Sequence, residues 1–159
     1  MRIAALYDIH GNLPALTAVL DELLKVRPDV IVIGGDSVPG PMPGETLERL
    51  KQLHTQAHVI RGNTDREVVA AFDVPLVDEH IQEELRAIRN WSAQQLTRSQ
   101  RDYLAQLPEQ VTLHVDGLGD VLFCHATPHS DTEIFTPITP QERHDTICAG
   151  VSQQIVVCG

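Results

Sequence analysis

Ile3-Ala4-Ala5-Leu6-Tyr7-Asp8-Ile9-His10-Gly11-Asn12 decides how the chain is read. Its apolar opening is short and reads as a strand buried in a sheet. The run stops on a carboxylate, an imidazole and a Gly-Asn pair. Asn12 then offers a helix N-cap, and Pro14 falls in the first turn, where a missing N–H costs little. Leu13, Leu16, Leu20, Leu23 and Leu24 recur at helical spacing until Arg27-Pro28-Asp29 breaks the pattern. The one-residue spacing of Asp8 and His10 lets both side chains face the same side of a strand end.

The same syntax repeats downstream. Val30-Ile31-Val32-Ile33 reads as a second buried strand and ends at Gly34-Gly35-Asp36. A Pro- and Gly-rich loop covers Pro39 to Gly44, and Glu45 to Leu53 reads as a helix through Leu47, Leu50 and Leu53. Ala57-His58-Val59-Ile60 is a third strand, ending at Arg61-Gly62-Asn63-Thr64-Asp65. From Asp65 to Leu107 the composition is helical, with breaks expected at Pro75 and around Asn90–Ser92. Gln110–Val115 and Gly119–Cys124 form a hairpin about the Asp116-Gly117 turn, and its return strand ends at His125. Pro128 to Pro140 is a loop; Thr139 with Glu142 three residues on predicts a capped helix. Ile155-Val156-Val157-Cys158 reads as one more buried strand, deep in a sheet. Strand and helix alternate, then a hairpin follows. This is an α/β fold whose sheet mixes parallel and antiparallel strands, with ligands expected beyond the strands' carboxyl ends.

The chain has 159 residues, enough for one domain with a real core, and a formal net charge of −10. So acidic a chain does not bind nucleic acid over a broad basic face, and with 4% aromatics it has no platform for stacking bases. It can bind a small phosphate if metal ions reverse the charge locally. Cys124, Cys148 and Cys158 show no pairing pattern, no signal peptide is evident, and no apolar stretch reaches the length of a membrane span. A cytoplasmic location is therefore expected, with no membrane partner.

Each strand delivers polar residues at its carboxyl end: Asp8 and His10, then Asp36, then Asn63 and Asp65, then His125. Carboxylate, imidazole and carboxamide oxygen together suit a transition-metal ion better than Ca²⁺, and Asp36 has two oxygens with which to bridge two ions. The glycines before Asp36 and Asn63 let the backbone turn and approach closely.

In order and context, Asp8-x-His10, Gly35-Asp36, Gly62-Asn63-x-Asp65 and His125 resemble the calcineurin-like metallophosphoesterases, most closely the small prokaryotic members with D-x-H-G-N near the start. The resemblance covers essentially the whole chain. It implies a four-layer αββα sandwich with two mixed sheets. One metal would be held by Asp8, His10 and Asp36 and the other by Asp36, Asn63 and His125. The ions would be divalent transition metals, Mn²⁺ first, with Fe, Zn²⁺ or Ni²⁺ as alternatives. A hydroxide bridging them would attack phosphorus in line. The implied activity is a phosphoesterase acting on phosphodiesters, small phosphate esters or nucleotides, with diesters favoured over monoesters.

Two departures stand out. Many members carry His after the Asn, where it stabilises charge or protonates the leaving group; here Thr64 takes that position. The family also closes its site with a G-H-x-H motif after a buried strand, whereas this sequence reaches Val157-Cys158-Gly159. The single domain, residues 1–159, is therefore expected to lack its C-terminal strands and to continue into a His-x-His pair. Apolar surface left where those strands would pack would favour association, so a homo-oligomer is allowed. The departures also motivate a rival reading: a non-catalytic metal-binding or scaffold protein on the same fold.

Other residues carry less. His54, His58, His80, His114 and His144 lack a motif and are expected to be structural or exposed. His129 lies near His125 and is read as structural, although it could reach the site. Arg61 and Arg66 flank the third motif and are read as solvated charges, although they could touch a phosphate. Cys124 and Cys158 are read as small buried hydrophobes, and Asp65 as a residue that orients a ligand or neighbour.

Overall fold

A computed structural model describes residues 1–53 and 57–159. His54 lies outside the described residues. Within them the order is β1 (Ile3–Leu6), α1 (Leu13–Val26), β2 (Val30–Ile33), α2 (Pro43–Lys51), β3 (Ala57–Val59), α3 (Asn63–Asp73), α4 (Glu83–Gln95), α5 (Arg98–Gln106), β4 (Gln110–Val115), β5 (Gly119–Cys124), α6 (Gln141–Ile147) and β6 (Ile155–Val157).

The strands form two three-stranded sheets, ordered β1-β2-β3 and β4-β5-β6. The first is parallel throughout, with Ile3 opposite Val30 and Ile31 opposite Ala57. The mixing of strand directions is confined to the second, where β4 and β5 make the antiparallel hairpin and β6 runs parallel to β5.

Strand β2 shows how the layers stack. Its side chains alternate, so Ile31 and Ile33 face one way and Val32 the other. Ile31 and Ile33 join Leu16 and Leu20 of α1 and Leu50 of α2 in one core cluster. Val32 joins Val115, Val121 and Phe123 in a second, which fills the space between the sheets. Leu122, on the reverse face of β5, is also buried. A third cluster ties Val38 and Leu47 to Val68, Ala93 and Leu104, joining α2 to α3, α4 and α5. This is the αββα plan.

Local signals explain most element ends. The Asn12 side chain accepts from the Ala15 N–H at 3.1 Å, and Pro14 sits in the first turn of α1. Helix α2 starts two residues earlier than expected, at Pro43, whose fixed φ suits a first helical position. The break expected around Asn90–Ser92 does not occur, and α4 runs through it. Tertiary hydrogen bonds absorb those polar side chains: Asn90 accepts from the Leu76 N–H and donates to the Leu76 carbonyl, and Ser92 Oγ accepts from the Gly40 N–H. The chain breaks instead at Thr97, which caps α5 with Gln100 in a capping box. The cap of α6 is Pro140 rather than Thr139, whose hydroxyl accepts from the Thr136 N–H and so closes the preceding turn. Strands β1 and β6 are half-buried rather than deep, because each is the outer strand of its sheet.

Candidate metal centre

The site forms where the loops after β1, β2, β3 and β5 meet. Strand β1 ends at Leu6, so Asp8 and His10 lie beyond it, and strand alternation is not what aligns them. Both adopt left-handed backbone, φ 54° and 48°, as does Asp36 at 52°. Each such non-glycine residue costs about 1–3 kcal/mol, and such strain concentrates at functional sites. The loops brace one another: His10 N–H donates to the Asp36 carbonyl at 2.9 Å and Gly11 N–H to the Ser37 carbonyl at 2.8 Å.

Asp36 sits at the centre, 4% exposed. Its Oδ2 lies 3.7 Å from His10 Nε2, which is 3.5 Å from Asp8 Oδ1. Its Oδ1 lies 3.4 Å from His125 Nε2, which is 3.1 Å from Asn63 Oδ1. The two oxygens of one carboxylate thus face two different groups of donors. Asp8, His10 and Asp36 each present a ligand atom within 4.8 Å of the others, so this group could hold a metal ion.

His125 is oriented from behind. Its Nδ1 donates to the Gly34 carbonyl at 3.0 Å, which leaves Nε2 facing two oxygens. Both accept from a protonated Nε2, which favours the charged ring. Burial opposes that charge, but the Asp36 carboxylate outweighs it and raises the His125 pKa to about 9. Burial likewise pushes Asp36 up, yet His125 and Thr64 hold it below its ordinary value.

Helix α3 begins at this carboxylate. The Thr64 N–H donates to Asp36 Oδ1 at 3.0 Å, using an N–H that the first turn leaves free. Gly62 is required by close approach: a Cβ there would stand 2.1 Å from Asp36 Oδ1. Gly35 has φ 99°, and its Cβ would meet His125 Nδ1 at 2.8 Å.

Asp65 is fully buried. It accepts from the Val38 N–H at 2.9 Å and the Gly62 N–H at 3.0 Å, tying the loop after β2 to the loop after β3. Burial pushes its pKa up to about 7 against the pull of those N–H groups. Thr64 also faces inward, its hydroxyl donating to the Val38 carbonyl at 2.6 Å.

The sequence motifs missed other contributors. Tyr7 donates its hydroxyl to the Val157 carbonyl at 3.0 Å, and its ring occupies the space a Cβ at Gly34 would need. Gly159 N–H donates to the His125 carbonyl at 2.9 Å, so β6 leads to the same rim. Tyr7 had a readable signal, as the last apolar residue before Asp8; its partner lies 150 residues away and had none. Of the histidines without a motif, His58, His80 and His114 are exposed, and His144 packs edge-on against Phe135.

The sequence model of the family described as calcineurin-like phosphoesterase matches residues 1–149. The chain belongs to the calcineurin-like phosphoesterases. That family binds divalent metals and hydrolyses phosphoesters, which suits oxygen and imidazole donors gathered around a buried carboxylate. No curated protein matches the chain. Among solved structures, a hypothetical protein from Pyrococcus horikoshii OT3 is similar over 99% of this chain and 68% of its own, at 24% identity and TM-score 0.84. A metallophosphoesterase from Sphaerobacter thermophilus is similar over 100% of this chain and 60% of its own, at 27% identity and TM-score 0.69. The phosphoesterase Yfce from E. coli is similar over 85% of this chain and 64% of its own, at 19% identity and TM-score 0.50. The first and third establish likeness of fold alone. No helix among the described residues is long and apolar enough to cross a membrane.

Proposed function

We propose that this calcineurin-like phosphoesterase hydrolyses small phosphodiesters at a pair of divalent ions. Asp8, His10 and Asp36 would hold one ion, and Asp36, Asn63 and His125 the other. One observation carries this reading: Asp36 turns one oxygen to each donor group, at 3.7 Å from His10 and 3.4 Å from His125. The donor set fits Mn²⁺ first among divalent transition metals. When bound, such ions supply Lewis acidity toward a phosphoester and make water a usable nucleophile near neutral pH.

The chain's own residues position and hold. Gly34 fixes the His125 ring through Nδ1, which leaves Nε2 free as a ligand atom. Asp65 and Thr64 lock the loops that present Asp36 and Asn63. Thr64 has no acidic proton near neutral pH, and its hydroxyl is committed to Val38, so it does not protonate a leaving group. Among esters bound equally well, those with good leaving groups should therefore turn over faster. A small, non-polymeric substrate accords with the acidic charge of the chain, and a cytoplasmic location with its three cysteines in no pairing pattern.

The test is hydrolysis of bis(p-nitrophenyl) phosphate by protein reconstituted with Mn²⁺, with and without chelator. Turnover that chelator removes and Mn²⁺ restores is the expected result. Two bound ions with no turnover on any ester would instead support the scaffold reading that Thr64 motivates.

A further inference from the structure

Beside the candidate metal centre lies a cavity of about 280 Å³ whose wall includes His125. Arg66, Glu109, Gln110, His129 and Asp131 line it too. Through His125 the space adjoins the Asn63–His125 side of the site.

The cavity's chemistry is specific. Asp131 grips Arg66 in a fork, Nε to Oδ2 at 2.7 Å and Nη2 to Oδ1 at 3.1 Å. The fork fixes the guanidinium but engages only two of its five N–H groups. His129 Nε2 donates to the Ala149 carbonyl at 2.8 Å, leaving Nδ1 as the ring's second polar atom. Gln110 adds an exposed carboxamide, with both donor and acceptor. Glu109 pairs with Arg61 through Oε1 at 2.7 Å, so its second oxygen remains an acceptor.

Charge decides what fits. Arg66 is balanced by Asp131, and Glu109 by Arg61. Neither pair leaves an uncompensated cation to offset a second phosphate, which would stand beside two carboxylates. Among the described residues, no Phe, Tyr or Trp lines the cavity, so a nucleobase finds no stacking face. Donors and acceptors side by side in one cavity suit hydroxyl groups, each of which gives and takes a hydrogen bond.

We propose that this cavity is the subsite for the alcohol arm of the substrate. It takes a neutral, hydroxyl-rich group, and Arg66, positioned by Asp131, is its specificity-determining residue. The assignment rests on the phosphodiesterase reading above and adds the substrate class.

The experiment compares the Mn²⁺-reconstituted chain with its Arg66→Ala and Asp131→Asn variants on glycerophosphoglycerol and on bis(p-nitrophenyl) phosphate. Arg66→Ala should lower kcat/KM for glycerophosphoglycerol by about 10-fold or more, chiefly through KM, with bis(p-nitrophenyl) phosphate changed less than about 3-fold. Asp131→Asn should shift KM in the same direction, and metal content should be unchanged in both. Equal losses on the two esters would overturn the assignment. So would wild-type preference for a nucleoside diester or an ester with a second phosphate. A second arm needs no turnover: backbone NMR of the chain loaded with a diamagnetic ion such as Zn²⁺, titrated with glycerol 3-phosphate or inorganic phosphate. Glycerol 3-phosphate should shift Gln110 and His129 amides, and inorganic phosphate should not. If the wild type cleaves no ester, the hydrolase reading falls while this arm still decides the cavity. Identical shifts from both ligands there would count against the subsite.

Discussion

Replacing Asp36 with Asn tests the shared carboxylate, and the structure says which ion should leave. The Thr64 N–H donates to the Oδ1 position at 3.0 Å, so the carboxamide introduced by Asp36→Asn keeps its oxygen there. Its NH₂ group then takes the Oδ2 position and faces His10 and Asp8. The Asp8–His10 group thus gains a donor where a cation needs an acceptor, while the Asn63–His125 group keeps an oxygen. Breaking a fully buried charge pair costs about 3–5 kcal/mol, but Asp8 and His10 are half-exposed, so the loss here should be nearer ~1.5–3 kcal/mol, roughly 10–10²-fold in affinity for the ion beside Asp8. The second ion should lose less, because only the charge of its shared ligand goes. Calorimetric titration with Mn²⁺ should show one strong step replaced by a weak one. Paramagnetic broadening at one equivalent of Mn²⁺ should then fall on His125 rather than His10. Two undiminished binding steps, or loss of the His125 ion first, would refute the reasoning.

Other expectations follow from the same geometry. His125→Ala should lower Mn²⁺ affinity by about 10-fold or more, whereas His114→Ala should leave it unchanged, since His114 is exposed and pairs with Asp120; equal losses by elemental analysis would contradict this. Gly62→Ala should displace the Asp36 carboxylate, because the new Cβ would lie 2.1 Å from Oδ1, and metal stoichiometry should fall in a chain that circular dichroism still shows folded. In metal-free protein the His125 pKa is raised to about 9, above its ordinary 6.5, so the stability it contributes is complete below 6.5 and lost as pH climbs through 9. The loss is up to about 3 kcal/mol. Chelator-treated protein should melt at progressively lower temperature from about pH 7 to about pH 9.5, a slope absent in His125→Gln. Asp65, raised to about 7, also loses stability with rising pH, but mostly below this window.

The repeated device of apolar run followed by polar residues was enough, in sequence, to read strand–helix alternation and the hairpin and to single out Asp8, His10, Asp36, Asn63 and His125 as candidate donors. These are local facts: strand burial dictates Val and Ile, and the chain turns where Gly, Asn and Asp allow it. Tertiary structure decided how the donors meet. Left-handed turns at Asp8, His10 and Asp36, held by hydrogen bonds between loops, aim the side chains where strand alternation alone would not. The orientation of the two Asp36 oxygens depends on Thr64, His10 and His125, which three other loops bring to it. The Arg66–Asp131 fork spans 65 residues, and neither residue by itself reads as more than a surface charge. Asn90 and Ser92 show the converse: their preference for turns is real, yet hydrogen bonds to Leu76 and Gly40 hold them inside a helix. Composition and period record what each segment prefers, but only packing fixes which distant donor meets which acceptor.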